Sequence, residues 1–166
     1  MQPILVRAID NTPGAERYEI VAGERRWRAA QLAGLGEVPV LVRSIPDEQA
    51  LAMALIENIQ RENLNPLEEA QGLQRLIDEF GLTHQQAADA VGRSRPAATN
   101  LLRLLQLTAT VQEMLMSGKL DMGHARALLP LAGAQQIALA QRIVQKGLSV
   151  REAERLVQHL LNPPKK

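Results

Sequence analysis

The sequence predicts a mixed, mostly α fold, in which a small N-terminal α/β module precedes an all-helical domain. Three observations carry this. Hydrophobic residues fill 46% of the 166 positions, yet only Tyr18, Trp27 and Phe80 are aromatic. The core is therefore built from Leu, Ala, Val and Ile, which favours helices over a β-sandwich. Strand-like and helix-like stretches alternate up to residue 60, and from residue 65 helix caps and glycines recur at helix-length intervals. The boundaries fall at 1–64 for the α/β module, 65–162 for the helical domain and 163–166 for the start of a linker.

In chain order, Ile4–Val6 and Tyr18–Val21 read as short strands. They are joined across Asp10-Asn11-Thr12-Pro13-Gly14, a run of turn formers suited to a hairpin-like connection. Residues 24–33 read as a helix ending at Gly34. Val38–Val42 reads as a further strand, and Pro39 suits an edge. Residues 47–60 read as a helix with Leu51, Leu55 and Ile59 on one stripe. Asn65-Pro66-Leu67-Glu68 then starts a helix with an Asn cap, Pro in the first turn and Glu at the third position. Thr83-His84-Gln85-Gln86 and Ser149-Val150-Arg151-Glu152 are capping boxes, each preceded by a leucine. Helices are expected near 66–80, 84–91, 95–105, 108–117, 123–129, 134–145 and 149–161.

Several function classes lose support. There is no cysteine for a disulfide framework or a thiolate metal site, and His84, His124 and His159 lack ligand spacing. No run of about 18 apolar residues is present. Met1-Gln2-Pro3 carries no leader-like pattern, so a cytoplasmic protein is expected, without contact to a membrane. The net charge is only +1, but it is unevenly spread. Residues 1–82 hold 8 Lys/Arg against 13 Asp/Glu, a balance of −5, and residues 83–166 hold 11 against 5, a balance of +6. An acidic half joined to a basic half suggests two modules, the second facing phosphate, although solvated surface charge can also segregate by chance.

Residues 83–105 match a helix-turn-helix position by position. Ala88 is small where helices approach, Gly92 suits the turn, Ser94 can cap the second helix and Pro96 fits its first turn. Ala98, Leu101 and Leu105 would face the core. Arg95, Thr99 and Arg103 then point outward with Asn100 beside them, side chains of the kind that read base edges. Arg93 and Lys119 are expected nearer phosphate, and Ser94, Arg126 and Arg151 are further candidates for DNA contact, though Arg126 could equally pack or cap. An ordinary helical hairpin with a basic solvated face shares many of these marks.

Two stretches of the α/β module carry unusual chemistry. Gly23-Glu24-Arg25-Arg26 joins a strand to a helix, so backbone N–H groups and two guanidinium groups gather where an anion would be favoured. The pattern is not that of a P-loop. Glu57 and Asn58 offer oxygen ligands of the kind Mg²⁺ takes alongside phosphates, with Arg61 one turn on. Surface arginines and a polar helix end would look the same.

Taken together, Gln2-Pro3-Ile4, Ala22-Gly23-Glu24-Arg25-Arg26-Trp27-Arg28-Ala29-Ala30, the run from Glu57-Asn58-Ile59-Gln60-Arg61 to Glu68-Glu69-Ala70, Gly123-His124-Ala125-Arg126-Ala127-Leu128 and Gly147-Leu148-Ser149-Val150-Arg151 resemble the ParB family of chromosome and plasmid partition proteins. These motifs occur in the family's order over nearly the whole chain. The resemblance implies a CTP-dependent sliding clamp on DNA, loaded at a palindromic, centromere-like parS site. Gly23, Glu24, Arg25, Arg26, Asn58 and Arg61 would bind CTP, with Glu57 and Asn58 serving Mg²⁺. Glu57 would assist a slow CTP hydrolysis. It further implies self-association on DNA, a nucleoid location and a ParA-type ATPase partner bound by a segment before Gln2. That segment, a preceding strand and helix, and a dimerisation domain after Pro164 are what family members carry and this chain lacks. A helix-turn-helix repressor without nucleotide switching is the alternative. A nuclease or phosphotransferase lacks a matching acidic or His cluster, and sulfiredoxin-like catalysis lacks its thiolate.

Overall fold

A computed structural model describes residues 2–163 of the chain, so all but the first residue of the linker expected at 163–166 lies outside the described residues. The chain divides into two compact units, Met1–Glu62 and Asn63–Lys166.

The first unit is a three-stranded sheet with two helices. Strands β1 (Ile4–Asp10) and β2 (Arg17–Ala22) form the expected hairpin, longer than its apolar centres suggested, and β3 (Val40–Val42) runs parallel to β1 at the other edge. Leu5 pairs with Ala22 and Val6 with Ile20, so Val21 is an extra residue in β2, a bulge of the kind that re-aims a strand end. Val21 is buried, as are Ile4 and Val6. Helix α1 (Glu24–Leu32) leaves β2 directly through Gly23, and α2 (Asp47–Ile59) packs on β2. The half-buried Arg7 joins the layers: it forms ion pairs with Glu19 on β2, at 2.6 Å, and with Asp47 at the start of α2. The apolar stripe of α2 departs from expectation. Leu55 and Ile59 are buried as expected, but Leu51 is 64% exposed and Ala50 takes its place on the buried face.

The second unit is entirely helical: α3 (Pro66–Phe80), α4 (His84–Ala90), α5 (Arg95–Arg103), α6 (Ala109–Met116), α7 (Met122–Leu128), α8 (Gly133–Lys146) and α9 (Val150–Leu161). Six of these begin on a capping side chain: Asn65, Thr83, Ser94, Thr108, Asp121 and Ser149. Each satisfies one backbone N–H that the helix itself leaves unpaired. After Arg103 the chain tightens into a 3₁₀ turn at Leu104–Gln106. With three residues per turn, Ala98, Leu101 and Leu104 align, and Leu104 is fully buried while Leu105 is only half-buried. Leu104 thus takes the core place expected for Leu105.

Two amides complete the core's polar accounts. Gln136, 2% exposed, accepts from the Thr108 N–H at 2.8 Å and donates to the Leu128 carbonyl. Gln112 donates to the carbonyls of Leu104, Leu105 and Leu107, where the 3₁₀ turn ends. His124 fastens α7 to the approach to α9, with Nε2 2.8 Å from the Leu148 carbonyl oxygen and Nδ1 3.0 Å from Asp121.

Leu104→Ala is expected to cost ~2–5 kcal/mol in urea unfolding, and Leu105→Ala roughly half of that or less. A pH effect follows from the α9 cap. The Glu152 carboxylate accepts the Ser149 N–H and hydroxyl, each at 2.7 Å, which holds its pKa below the ordinary glutamate range. Its contribution is present above the unfolded value of ~4.3 and is lost as pH falls through the lower folded value. The Tm difference between wild type and Glu152→Gln should therefore shrink on acidification below about pH 4.

Candidate functional site

Two groups of side chains stand out, one in each unit. In the first unit a cleft of about 480 Å³ is lined by Ile20 and Val21 of β2, Glu24 and Arg25 of α1, and Ala54, Glu57, Asn58, Gln60, Arg61 and Glu62 at the end of α2. The residues on either side of the strand-to-helix turn, Val21 and Glu24, line it, while Gly23, expected as a nucleotide ligand, does not. Gly23 has φ +102°, which residues with a Cβ rarely adopt, and a Cβ there would sit 3.0 Å from Arg26 Nη2. Glycine thus allows the Arg26 guanidinium to lie flat on the turn.

The turn is closed from a distance of 34 residues. The Gly23 N–H donates to Glu57 Oε1 at 3.1 Å, so a carboxylate already stands at the N-terminal end of α1, where the helix dipole favours an anion. No side chain caps α1 from Gly23 itself. Arg25 and Arg61 are exposed on the cleft and form no ion pair among the described residues. Glu24 is bound to Arg28 at 2.6 Å. The cleft therefore offers two guanidinium groups, the start of a helix and the Glu57/Asn58 oxygens. A hard cation held by two protein oxygens would take its remaining ligands from water and phosphate, as Mg²⁺ does. Among the described residues there is no group of three or more His, Cys, Asp or Glu side chains able to hold a metal by themselves.

Arg26, expected beside Arg25 as a phosphate ligand, does not line this cleft. Its Nη1 donates to the carbonyls of Gln2 and Pro3, at 3.0 and 2.8 Å, and so fastens the start of β1 to α1. Gln60, Glu62, Ile20 and Val21 line the cleft without having been singled out in the sequence. Their types carry no signal of their own, and only the bulge and the end of α2 bring them there.

In the second unit α4 and α5 form a helix-turn-helix. Gly92 has φ +72° in the turn, and Ala88, which stands where the helices meet, is fully buried. Ser94 Oγ accepts from the Ala97 N–H at 3.3 Å, so this hydroxyl serves as the cap of α5. Ala98, Leu101 and Leu104 face inward. Arg95 and Arg103 are exposed and Thr99 and Asn100 half-exposed on the other side. Arg95, Arg103, Lys119 (in the turn after α6), Arg126 and Arg151 are all exposed, and none forms an ion pair among the described residues. Arg126 Nε reaches only its own helix, 3.4 Å from the Met122 carbonyl oxygen. Arg93 differs: it forms a two-point ion pair with Glu69 of α3, Nε to Oε1 at 2.8 Å and Nη2 to Oε2 at 3.2 Å. Glu69 read in the sequence only as part of a helix start.

The model of the ParB N-terminal domain matches residues 1–59, and that of the ParB HTH domain matches residues 62–162. A probable chromosome-partitioning protein ParB of Neisseria meningitidis is 61% identical over 161 residues, which are 97% of this chain and 55% of that protein. The C-terminally truncated ParB of Caulobacter crescentus, in complex with the centromeric parS site, superimposes with a TM-score of 0.86 at 48% identity, over 95% of this chain and 82% of that one. A structure of the same Caulobacter protein with CTP-gamma-S matches 87% of this chain and 78% of that one at 48% identity, with a TM-score of 0.42. The chain spans about half the length of the curated relatives it matches. No described helix is long and apolar enough to cross a membrane.

The division between engaged and unengaged arginines has a direct test. Arg26→Ala should lower Tm by several degrees, whereas Arg25→Ala and Arg61→Ala should leave it within about 1 °C, since each removes only an exposed cation. Differential scanning calorimetry of the three variants checks this.

The chain belongs to the ParB family of partition proteins.

Proposed function

We propose that this chain is the DNA-reading and nucleotide-binding part of a chromosome- or plasmid-partitioning protein. It binds a palindromic, parS-like site and acts there as a sliding clamp controlled by CTP. The observation that carries the DNA-reading role is the two-sided α5. The buried stripe of Ala98 and Leu101, continued by Leu104 in the 3₁₀ turn, leaves Arg95 and Arg103 exposed, without an ion pair among the described residues, and Thr99 half-exposed between them. Such a helix enters a major groove with its arginines toward guanine edges. Lys119, Arg126 and Arg151 supply phosphate contacts, and two copies read the two half-sites of a palindrome.

The cleft supports the nucleotide role by its chemistry. Arg25 and Arg61 hold phosphates beside the Gly23 turn, and Mg²⁺ on Glu57 and Asn58 neutralises further phosphate charge when bound. Glu57 accepts from the Gly23 N–H through Oε1 alone, so Oε2 would be free for the cation while the turn stays closed. A slow hydrolysis would use Glu57 to orient or deprotonate water. Preference for the cytosine base follows from family membership and not from any contact of the cleft. Self-association on DNA, a nucleoid location and a ParA-type ATPase partner belong to the same reading of the whole protein.

Arg95→Ala and Arg103→Ala should each cost ~1–3 kcal/mol on parS and relax base discrimination. Lys119→Ala should weaken all duplexes alike and reduce the salt slope by about 0.9. Fluorescence anisotropy across a salt series measures both, and unchanged parS affinity in the two arginine variants would show that another helix reads the site. For the nucleotide, calorimetry on the full-length protein with Mg²⁺ and parS should show CTP bound in preference to ATP and GTP, and lost in Arg61→Ala. A full-length protein indifferent to CTP under those conditions is a repressor-type DNA binder without the switch.

A further inference from the structure

We infer that Glu69 and Arg93 form a positioning pair that sets the helix-turn-helix for base reading, and that Arg93 does not neutralise a DNA phosphate. The inference rests on the DNA-reading role proposed above and corrects the place of Arg93 within it.

Glu69 is 8% exposed. Its two oxygens are both taken by the Arg93 guanidinium, in the parallel two-bond geometry that is strongest for this pair. A carboxylate this buried is costly to leave without a partner. It also lies in the first turn of α3, where the helix dipole favours negative charge. Arg93 is therefore the expected counter-charge of Glu69 in the folded protein, and its own charge is balanced there.

The backbone of Arg93 is held as well. Its N–H donates to the Ala88 carbonyl at 2.9 Å, directly after the left-handed Gly92. One residue thus fastens the turn to α4 through the main chain and to α3 through the side chain. The next residue, Ser94, caps α5, and Arg95 begins it. With the turn fixed at both ends, the direction in which α5 leaves it, and so the placement of Arg95, Thr99 and Arg103, is set relative to α3. A lysine at 93 would supply the charge without the two-point geometry.

Counterion release separates this role from a phosphate contact, because only a cation that neutralises a phosphate contributes to the salt slope. The full-length protein, as wild type, Arg93→Ala, Arg93→Lys and Glu69→Gln, would be titrated with a parS duplex and a scrambled duplex over a salt series. Arg93→Ala should keep the wild-type slope while parS-over-scrambled discrimination falls by about tenfold, and Arg93→Lys should recover only part of that loss. Glu69→Gln keeps the side-chain shape but releases a guanidinium beside α5. Its slope should steepen by about 0.9, with tighter binding to the scrambled duplex and narrowed discrimination. If Glu69→Gln does not fold, the two Arg93 variants decide the matter alone. A slope flattened by about 0.9 in Arg93→Ala with discrimination intact would make Arg93 a phosphate ligand and overturn the inference, as would an unaltered slope and discrimination in a folded Glu69→Gln. A wild type that does not distinguish parS from the scrambled duplex would instead refute the DNA-reading role itself.

Discussion

The constraint on which this structure depends is that every helix start carries backbone N–H groups with no partner inside the helix. A chain with so few aromatic residues builds its core from short aliphatic helices, and so meets this constraint many times. In the helical unit, side-chain oxygens meet it locally at every helix but α8: Asn65, Thr83, Ser94, Thr108, Asp121 and Ser149 each cap their own helix. In the α/β unit, α1 starts on a glycine with no side chain to offer, and the turn is satisfied from afar by Glu57. The local solution makes a rigid scaffold. The distant one ties the start of α1 to the end of α2 through a single carboxylate oxygen.

The same economy governs the positive charges. A cation is available to a phosphate only where the fold has not already engaged it. Arg7 joins β1 to β2 and to the start of α2, Arg26 holds the two residues that lead into β1, and Arg93 is matched by Glu69. Arg25, Arg61, Arg95, Arg103, Lys119, Arg126 and Arg151 have no such engagement among the described residues. The net charge of the chain is near zero; of these cations Arg25 and Arg61 line the cleft beside the Gly23 turn and the other five lie on the helical unit, while Arg17, Arg43, Arg142, Lys146 and Arg155 likewise form no ion pair among the described residues.

Much of the fold and part of the candidate site were legible in the sequence, and the reason is range. A capping box, a proline in a first turn, a left-handed glycine and an aliphatic stripe are each decided within about four residues, so the order and extent of the helices, the hairpin and the two-sided α5 could be read directly. The Gly23-Glu24-Arg25 turn and the Glu57-Asn58-Arg61 helix end were also visible as unusual chemistry, though not as parts of one cleft. What brings them together is a hydrogen bond across 34 residues, aided by a bulge at Val21 that no turn residue announces.

The sequence by itself therefore determined the elements, the two-part organisation of acidic and basic halves, the family resemblance and the helix-turn-helix with its two-sided second helix. Tertiary structure decided which of the equivalent-looking side chains are free to act. Arg25 and Arg26 are adjacent and chemically identical, but only Arg26 finds the carbonyls of Gln2 and Pro3. Arg93 and Arg95 lie two residues apart, but only Arg93 meets Glu69, 24 residues away. Leu104 and Leu105 exchange roles because the last turn winds at three residues rather than 3.6 once Gln112 and its neighbours close over it. In each case local preference leaves the two candidates equal, and the choice rests on a partner that only the folded chain brings within reach.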